Sequence, residues 1–226
     1  MDRLQRLRRF GLFTAGVAVS AGGIAFITRA ALGTSPLSNL PFVLSLITPP
    51  SVGVYTFAFN LLFLAAEAVL RRTFTRMQAL QIPFTLLFSV SIDLFMWLIP
   101  TQLHGPYPMK VLYLLVGCGL LGLGVTLEVL GDVIMLPGEA LVRAISQKGH
   151  VPFHRVKVLF DSTLTLIAAV AALLAFGRLN GVKEGTLVAA LAVGPLVKST
   201  LGAWVLPCAA GWMPRPSELQ QKTSVA

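Results

Sequence analysis

Apolar residues fall into six long runs along the chain, at residues 10–28, 52–70, 80–100, 111–130, 156–176 and 186–207. Each is close to the ~20 residues that cross a bilayer core as a helix. Two shorter stretches lie between them, at 36–47 and, more polar, at 137–146. Neither is long enough to cross alone. The pattern predicts an all-α polytopic membrane protein with six transmembrane helices.

Composition agrees. Hydrophobic residues make up 55% of the 226, charged residues 12%, and mean hydropathy is +0.79. A soluble domain carries about twice that charged fraction. The net charge of +9, from 18 Lys+Arg against 9 Asp+Glu, would point to nucleic acid in a soluble protein. In a membrane protein it is read loop by loop, because basic residues collect on the cytoplasmic side. Arg3, Arg6, Arg8 and Arg9 precede the first run, and Arg71, Arg72 and Arg76 follow the second. Arg143, Lys148, Arg155 and Lys157 lie between the fourth and fifth, and Arg215 and Lys222 follow the sixth. Residues 33–53 on the other side carry no charge, and the loop with Arg178, Lys183 and Glu184 is the one exception to the bias. Both termini are therefore expected in the cytoplasm, with the protein in a bacterial inner membrane. The first run is too long for a signal-peptide core and is read as a retained span. Cys118 and Cys208 belong to no disulfide framework or paired-thiol motif.

The two halves repeat. The first reads span, Leu32-Gly33-Thr34, a short segment from Pro36, then two spans. The second reads span, Leu130-Gly131-Asp132, a short segment from Pro137, then two spans. The alignment pairs Gly33 with Gly131, Pro36 with Pro137, Ser45 with Ser146, Phe59-Asn60 with Phe160-Asp161, and Asp93 with Lys198. Three spans per half is an odd number, so the second half is expected upside down, as in many small transporters. The divisions expected are a basic tail at 1–9, a three-span repeat at 10–104, its inverted partner at 105–208 and a cytoplasmic tail at 209–226. Proline suits the first turn of a helix, so each short segment is an interrupted or re-entrant helix after the first span of its half. The alternative is a pair of amphipathic helices lying on the membrane surface.

The second half carries Leu136-Pro137-Gly138-Glu139, Val156-Lys157, Asp161, Gly181-Val182-Lys183-Glu184-Gly185-Thr186 and Gly194-Pro195. The first carries Ala31-Leu32-Gly33-Thr34-Ser35-Pro36 and Ile92-Asp93. In order and spacing these resemble the bacterial YczE/YyaS/YitT group of small membrane proteins, over nearly the whole chain apart from the tails. The resemblance implies a polytopic inner-membrane protein and no agreed biochemical activity.

Ionisable groups inside spans are costly and mark function by default. Asp161 lies four residues after Lys157, on the same helix face. It reads as an ion-coupled carboxylate or as half of a structural pair with Lys157. Asp93 and Lys198, equivalent and opposite in charge, are expected to meet between the halves, as a static clamp or as a pair broken during transport. Glu128 and Asp132, with Glu139 and Arg143, join Lys157 and Asp161 in the densest charge cluster of the sequence. It is either a polar pocket open to the cytoplasm or a set of solvated loop charges. Glu139 in a first helical turn is favoured by the helix dipole in either case. Asn60, equivalent to Asp161, is expected to be buried and hydrogen-bonded. Arg29 is a group for an anion or a lipid phosphate, and Glu67–Arg71 reads as a structural pair.

His150 and His154 have helical ligand spacing, but Pro152 intervenes and a third ligand is lacking, so no metal is expected. No phosphate loop, nucleophile elbow or zinc-protease motif occurs, and no cofactor or enzymatic activity is expected. Gly117, Gly119 and the glycines at 122 and 124 read as a helix-packing face. No basic patch interleaved with aromatics suggests nucleic acid. The expected partners are the bilayer and a small polar solute, and small-residue stripes are compatible with a homodimer. The function expected is a small secondary transporter or facilitator with its site between two inverted halves. The alternative is a non-transporting module that binds a partner protein or captures a ligand for one.

Overall fold

The computed structural model describes residues 3–100 and 106–200, with side chains described through residue 197. These residues form α1 (Arg3–Arg29), α2 (Pro36–Ile47), α3 (Val52–Arg71), α4 (Arg76–Leu98), α5 (Tyr107–Gly131), α6 (Pro137–Gly149), α7 (Phe153–Phe176) and α8 (Glu184–Thr200). Among the described residues there is no strand. Helices α1, α3, α4, α5 and α7 are long and apolar enough to cross a membrane. They mark the chain as a helical, multi-pass membrane protein, because a lone chain in lipid must satisfy its backbone internally. The sixth expected span runs past the described residues, and α8 is followed only to Thr200.

The helix ends follow local chemistry. Proline occupies the first turn of α2 and of α6, where its missing N–H costs nothing. Thr75 and Gln78 form a reciprocal capping box at the start of α4. Helices α3, α5 and α6 close with left-handed Arg72, Asp132 and His150. One boundary differs from expectation. Helix α1 begins at Arg3, so the basic residues ride on the first helix rather than in a tail ahead of it. Arginine is a good helix former, and nothing in the segment breaks the turn.

Helices α1 and α5 pack together along most of their length. A Cβ on Gly16 would lie 2.7 Å from Glu128 N, and one on Gly23 would lie 2.5 Å from Leu121 N. One on Gly117 would lie 2.7 Å from Ile27 Cγ1, and one on Gly131 would lie 2.8 Å from Phe13 Cβ. As numbers rise along α1 they fall along α5, so the two helices are antiparallel. The face expected at Gly117 and Gly124 is therefore real, and its partner is Gly16, Ser20 and Gly23 of α1. Gly122 faces Leu196 of α8 instead, and Gly119 has nothing within 4 Å among the described residues. Phe13, Val17, Ile24 and Ile27 join Leu114, Cys118 and Leu121, with Phe88 and Ile92 of α4, in one apolar core.

A second core joins the short helices to α3 and α7. It holds Leu40 and Val43 of α2, Phe63 of α3, Leu141 of α6, and Leu164, Ala168 and Ala172 of α7. Several of the helix contacts recur when α1–α4 are exchanged for α5–α8, but the packing of α3 on α4 has no comparable packing of α7 on α8 among the described residues. Helix α1 packs on α4 as α5 does on α8, α2 packs on α7 as α6 does on α3, and α2 on α3 as α6 on α7.

Candidate functional site

The short helices start beside one another. A Cβ on Gly138, the second residue of α6, would lie 3.2 Å from Leu37 of α2 and 3.7 Å from Phe63, which is well inside α3. Phe63 meets Phe160 of α7 edge-on, with ring centroids 5.3 Å apart. Two residues further along α2, Asn39 donates through Nδ2 to Thr165 Oγ1 of α7 at 3.2 Å. The first turns of the two short helices thus touch through the Leu37 side chain, beside Phe63 of α3.

The surroundings of α2's first turn are polar and buried. Asn39 and Thr34 are fully buried, and Ser35 and Ser38 nearly so. Ser35 donates to Ser38 Oγ at 3.0 Å, and Thr28 and Thr34 share a hydroxyl–hydroxyl bond of 2.8 Å. Asn39 Oδ1 and Thr186 Oγ1 are buried with no hydrogen-bond partner among the described residues. Gly33, at φ +122°, brings this turn against α8: a Cβ there would lie 2.5 Å from Thr186 Oγ1. Gly185 N donates to the Leu32 carbonyl at 2.8 Å. Sequence reasoning missed Asn39, Thr34 and Thr186. Their signal was polar side chains beside Pro36 and at the start of the last span.

Members of the expected charge cluster meet both one another and other neighbours: Glu139 lies near enough to Glu128 for the two carboxyls to repel. Lys157 Nζ and Asp161 Oδ1 pair at 3.2 Å on α7, each side chain about a quarter exposed, at 24% and 22%. Glu128 accepts from Ser20 Oγ of α1 at 2.6 Å. Asp132 pairs with Arg9 of α1 at 3.2 Å. Arg143 donates to Met135 Sδ at 3.4 Å. Glu139 is half-buried in the first turn of α6. Asn60 is half-buried and donates to the Thr56 carbonyl at 2.8 Å. Ser20 and Arg9 were not singled out by sequence, since their partners lie over 100 residues away.

Asp93 serves the start of α3. Its Oδ2 accepts from Ser51 Oγ at 2.6 Å and its Oδ1 from Gly53 N at 2.8 Å. The expected pairing with Lys198 lies outside the described residues, as do Cys208 and the basic residues of the C-terminal tail. Asp93 also lines an open cleft of about 420 Å³, with Arg29, Ser45, Ser51, Met96 and Trp97 among its walls. Arg29 donates through Nη2 to the Met96 carbonyl, and its Nε is buried without a partner among the described residues. The cleft thus holds one cation and one anion, the anion already bound by two donors. Among the described residues no three His, Cys, Asp or Glu side chains come together as a metal site. What these groups can do is bind a polar or charged solute by hydrogen bonds.

Compared with known protein families, the chain matches DUF6198, a family of unknown function, over residues 7–201. No curated protein and no solved structure matches it. The chain belongs to the DUF6198 family.

Proposed function

We propose that this DUF6198 member is a small secondary transporter or facilitator for a small polar or charged solute. Its site lies between two inverted halves, α1–α4 and α5–α8. The observation that carries the reading is the meeting of α2 and α6 at their first turns, Leu37 against Gly138, beside the middle of α3. Half-helices that begin inside a membrane present free N–H groups to a solute. Asn39, buried with an Oδ1 that has no partner among the described residues, adds an acceptor at the same level. The antiparallel crossing of α1 and α5, whose counterpart positions Gly23 and Leu121 touch, supports the inversion. In this reading α2 and α6 are re-entrant, and alternating access comes from one half rocking on the other.

The basic ends of α1, α3 and α6 and the start of α7 face the cytoplasm of a bacterial inner membrane, with both termini inside. Lys157–Asp161 and Arg9–Asp132 then lie toward the cytoplasmic end, and the Arg29–Asp93 cleft toward the opposite end. Kinship with the YczE/YyaS/YitT group belongs to the same proposal and rests on the joint order of short motifs.

The test is thermal unfolding of the purified protein in mild detergent against small polar metabolites and ions. A compound that binds only the folded state at 100 times its Kd stabilises by about 2.7 kcal/mol. A raised Tm in the wild type, lost in Asn39→Ala and in Asp161→Asn, is the expected result. Hits that persist in both variants would move the site away from the two halves. A folded protein with no hit at all would favour the partner-binding module.

A further inference from the structure

The α3–α4 hairpin buries more polar groups than its own hydrogen bonds account for. Gln78, Gln81, Thr85 and Ser89 of α4 are each at least 95% buried, at 3%, 5%, 0% and 3% exposure, and Glu67 of α3 is 4% exposed. Gln78 Nε2, Gln81 Oε1, Thr85 Oγ1, Ser89 Oγ and Glu67 Oε2 have no hydrogen-bond partner among the described residues. Native proteins leave only a few such groups per hundred residues. Five on one hairpin therefore need a common explanation.

Their placement supplies it. The spacing of 3, 4 and 4 puts the four α4 side chains within about 80° of one helix face, over about 16 Å of its length. Asp93, four residues on, continues the line to the Arg29 cleft. Glu67, beside Arg71 at 2.8 Å, lies near the opposite end, because α3 and α4 are joined by a tight turn. Side-chain chemistry sharpens the contrast. Thr14, Thr28, Thr56, Thr126 and Thr163 each donate to the carbonyl four residues back. Thr85 and Ser89 do not, so their hydroxyls remain available. Pro83, inside α4, has no N–H to give the Ala79 carbonyl. Donors and acceptors thus alternate along a line that is closed to bulk solvent.

We propose that this line holds a file of buried water from Glu67 to Ser89, ending at the Arg29–Asp93 cleft. Buried water typically makes about three hydrogen bonds to groups of this kind. The file connects the Glu67 carboxylate with the opposite end of the protein. For the transporter reading above it is the route of a coupling proton, but the water itself does not depend on that reading.

Water-edited solid-state NMR of the full chain in liposomes tests it without a substrate. Magnetisation from water should reach Thr85 and Ser89 about as fast as it reaches exposed Thr73, and several-fold faster than it reaches Thr126. Thr126 is equally buried but donates to the Gly122 carbonyl at 2.7 Å. Build-up at Thr85 and Ser89 as slow as at Thr126 would overturn the proposal. Thr85→Val gives a second readout. A dry, unpaired hydroxyl is destabilising, so its removal would raise Tm. A hydroxyl bonded to water predicts an unchanged or lower Tm, and a clear rise would also overturn the file. Neither measurement contains a transport step, so a failed transport assay leaves both outcomes readable.

Discussion

Gly23→Leu is expected to abolish the α1–α5 crossing, while Gly119→Leu leaves the protein folded. A Cβ on Gly23 would sit 2.5 Å from Leu121 N, 2.8 Å from the Gly117 carbonyl oxygen and 2.9 Å from Leu121 Cα. All three are backbone atoms of α5, so no rotamer change relieves the clash. The helices must move apart by roughly 1 Å or more, and the surrounding core of Val17, Ile24, Ile27 and Cys118 loses its contacts. In a bilayer such close packing of small residues replaces the hydrophobic drive between helices. The cost is at least the ~1–3 kcal/mol of ordinary overpacking, and more where backbone rather than side chains must give way. Gly119 has nothing within 4 Å among the described residues, so leucine there is expected to meet open space and shift stability by less than about 0.5 kcal/mol. The measurement is folded yield and Tm in mild detergent, with Gly23→Ala as the intermediate step. Equal yield and Tm for the two leucine variants would mean that α1 and α5 do not cross at Gly23.

That contrast shows where the sequence was legible. Long apolar runs announce their helices because a backbone in lipid has few other ways to satisfy itself. Pro36 and Pro137 announce the short helices because proline is tolerated at a first turn. Gly117 and Gly124 could be read as a packing face, but Gly16 and Gly23, the surface they pack on, could not. Which helix turns toward which is decided by contacts over 100 residues apart, and local spacing carries no record of it. The charged residues divide in the same way. Glu128 and Asp132 bind Ser20 and Arg9, over 100 residues away, whereas the Lys157–Asp161 pair, four residues apart on one helix, was legible from spacing alone. The polar line of α4 was legible in principle from its 3-4-4 spacing. It was hidden because uncharged glutamine and serine barely interrupt an apolar run, whereas a charge does.

Asp93→Ala is expected to lower stability by about 2–3 kcal/mol, the cost of two hydrogen bonds to a charged group after allowance for partial exposure. Its carboxylate accepts one hydrogen bond from Ser51 Oγ and one from Gly53 N. Ser51 in turn caps α3 by accepting from Val54 N at 3.2 Å. The three groups form one latch between the end of α4 and the start of α3, where a negative charge also meets the positive end of the helix dipole. Ser51→Ala should cost about 1 kcal/mol, as a lost cap does. Asp93→Asn should cost less than Asp93→Ala, because the amide oxygen can still accept from Gly53 N. The double variant Ser51→Ala/Asp93→Ala should cost less than the two single losses together, since each breaks the same hydrogen bond. Thermal unfolding of the four variants measures this directly. Full additivity would mean that the main partner of Asp93 lies elsewhere, as in a clamp across the halves to Lys198. With the latch in place Asp93 is committed to the hairpin, and its charge is spent on α3. Arg29, whose Nε has no partner among the described residues, is then the charged group of the cleft with hydrogen-bonding capacity left over.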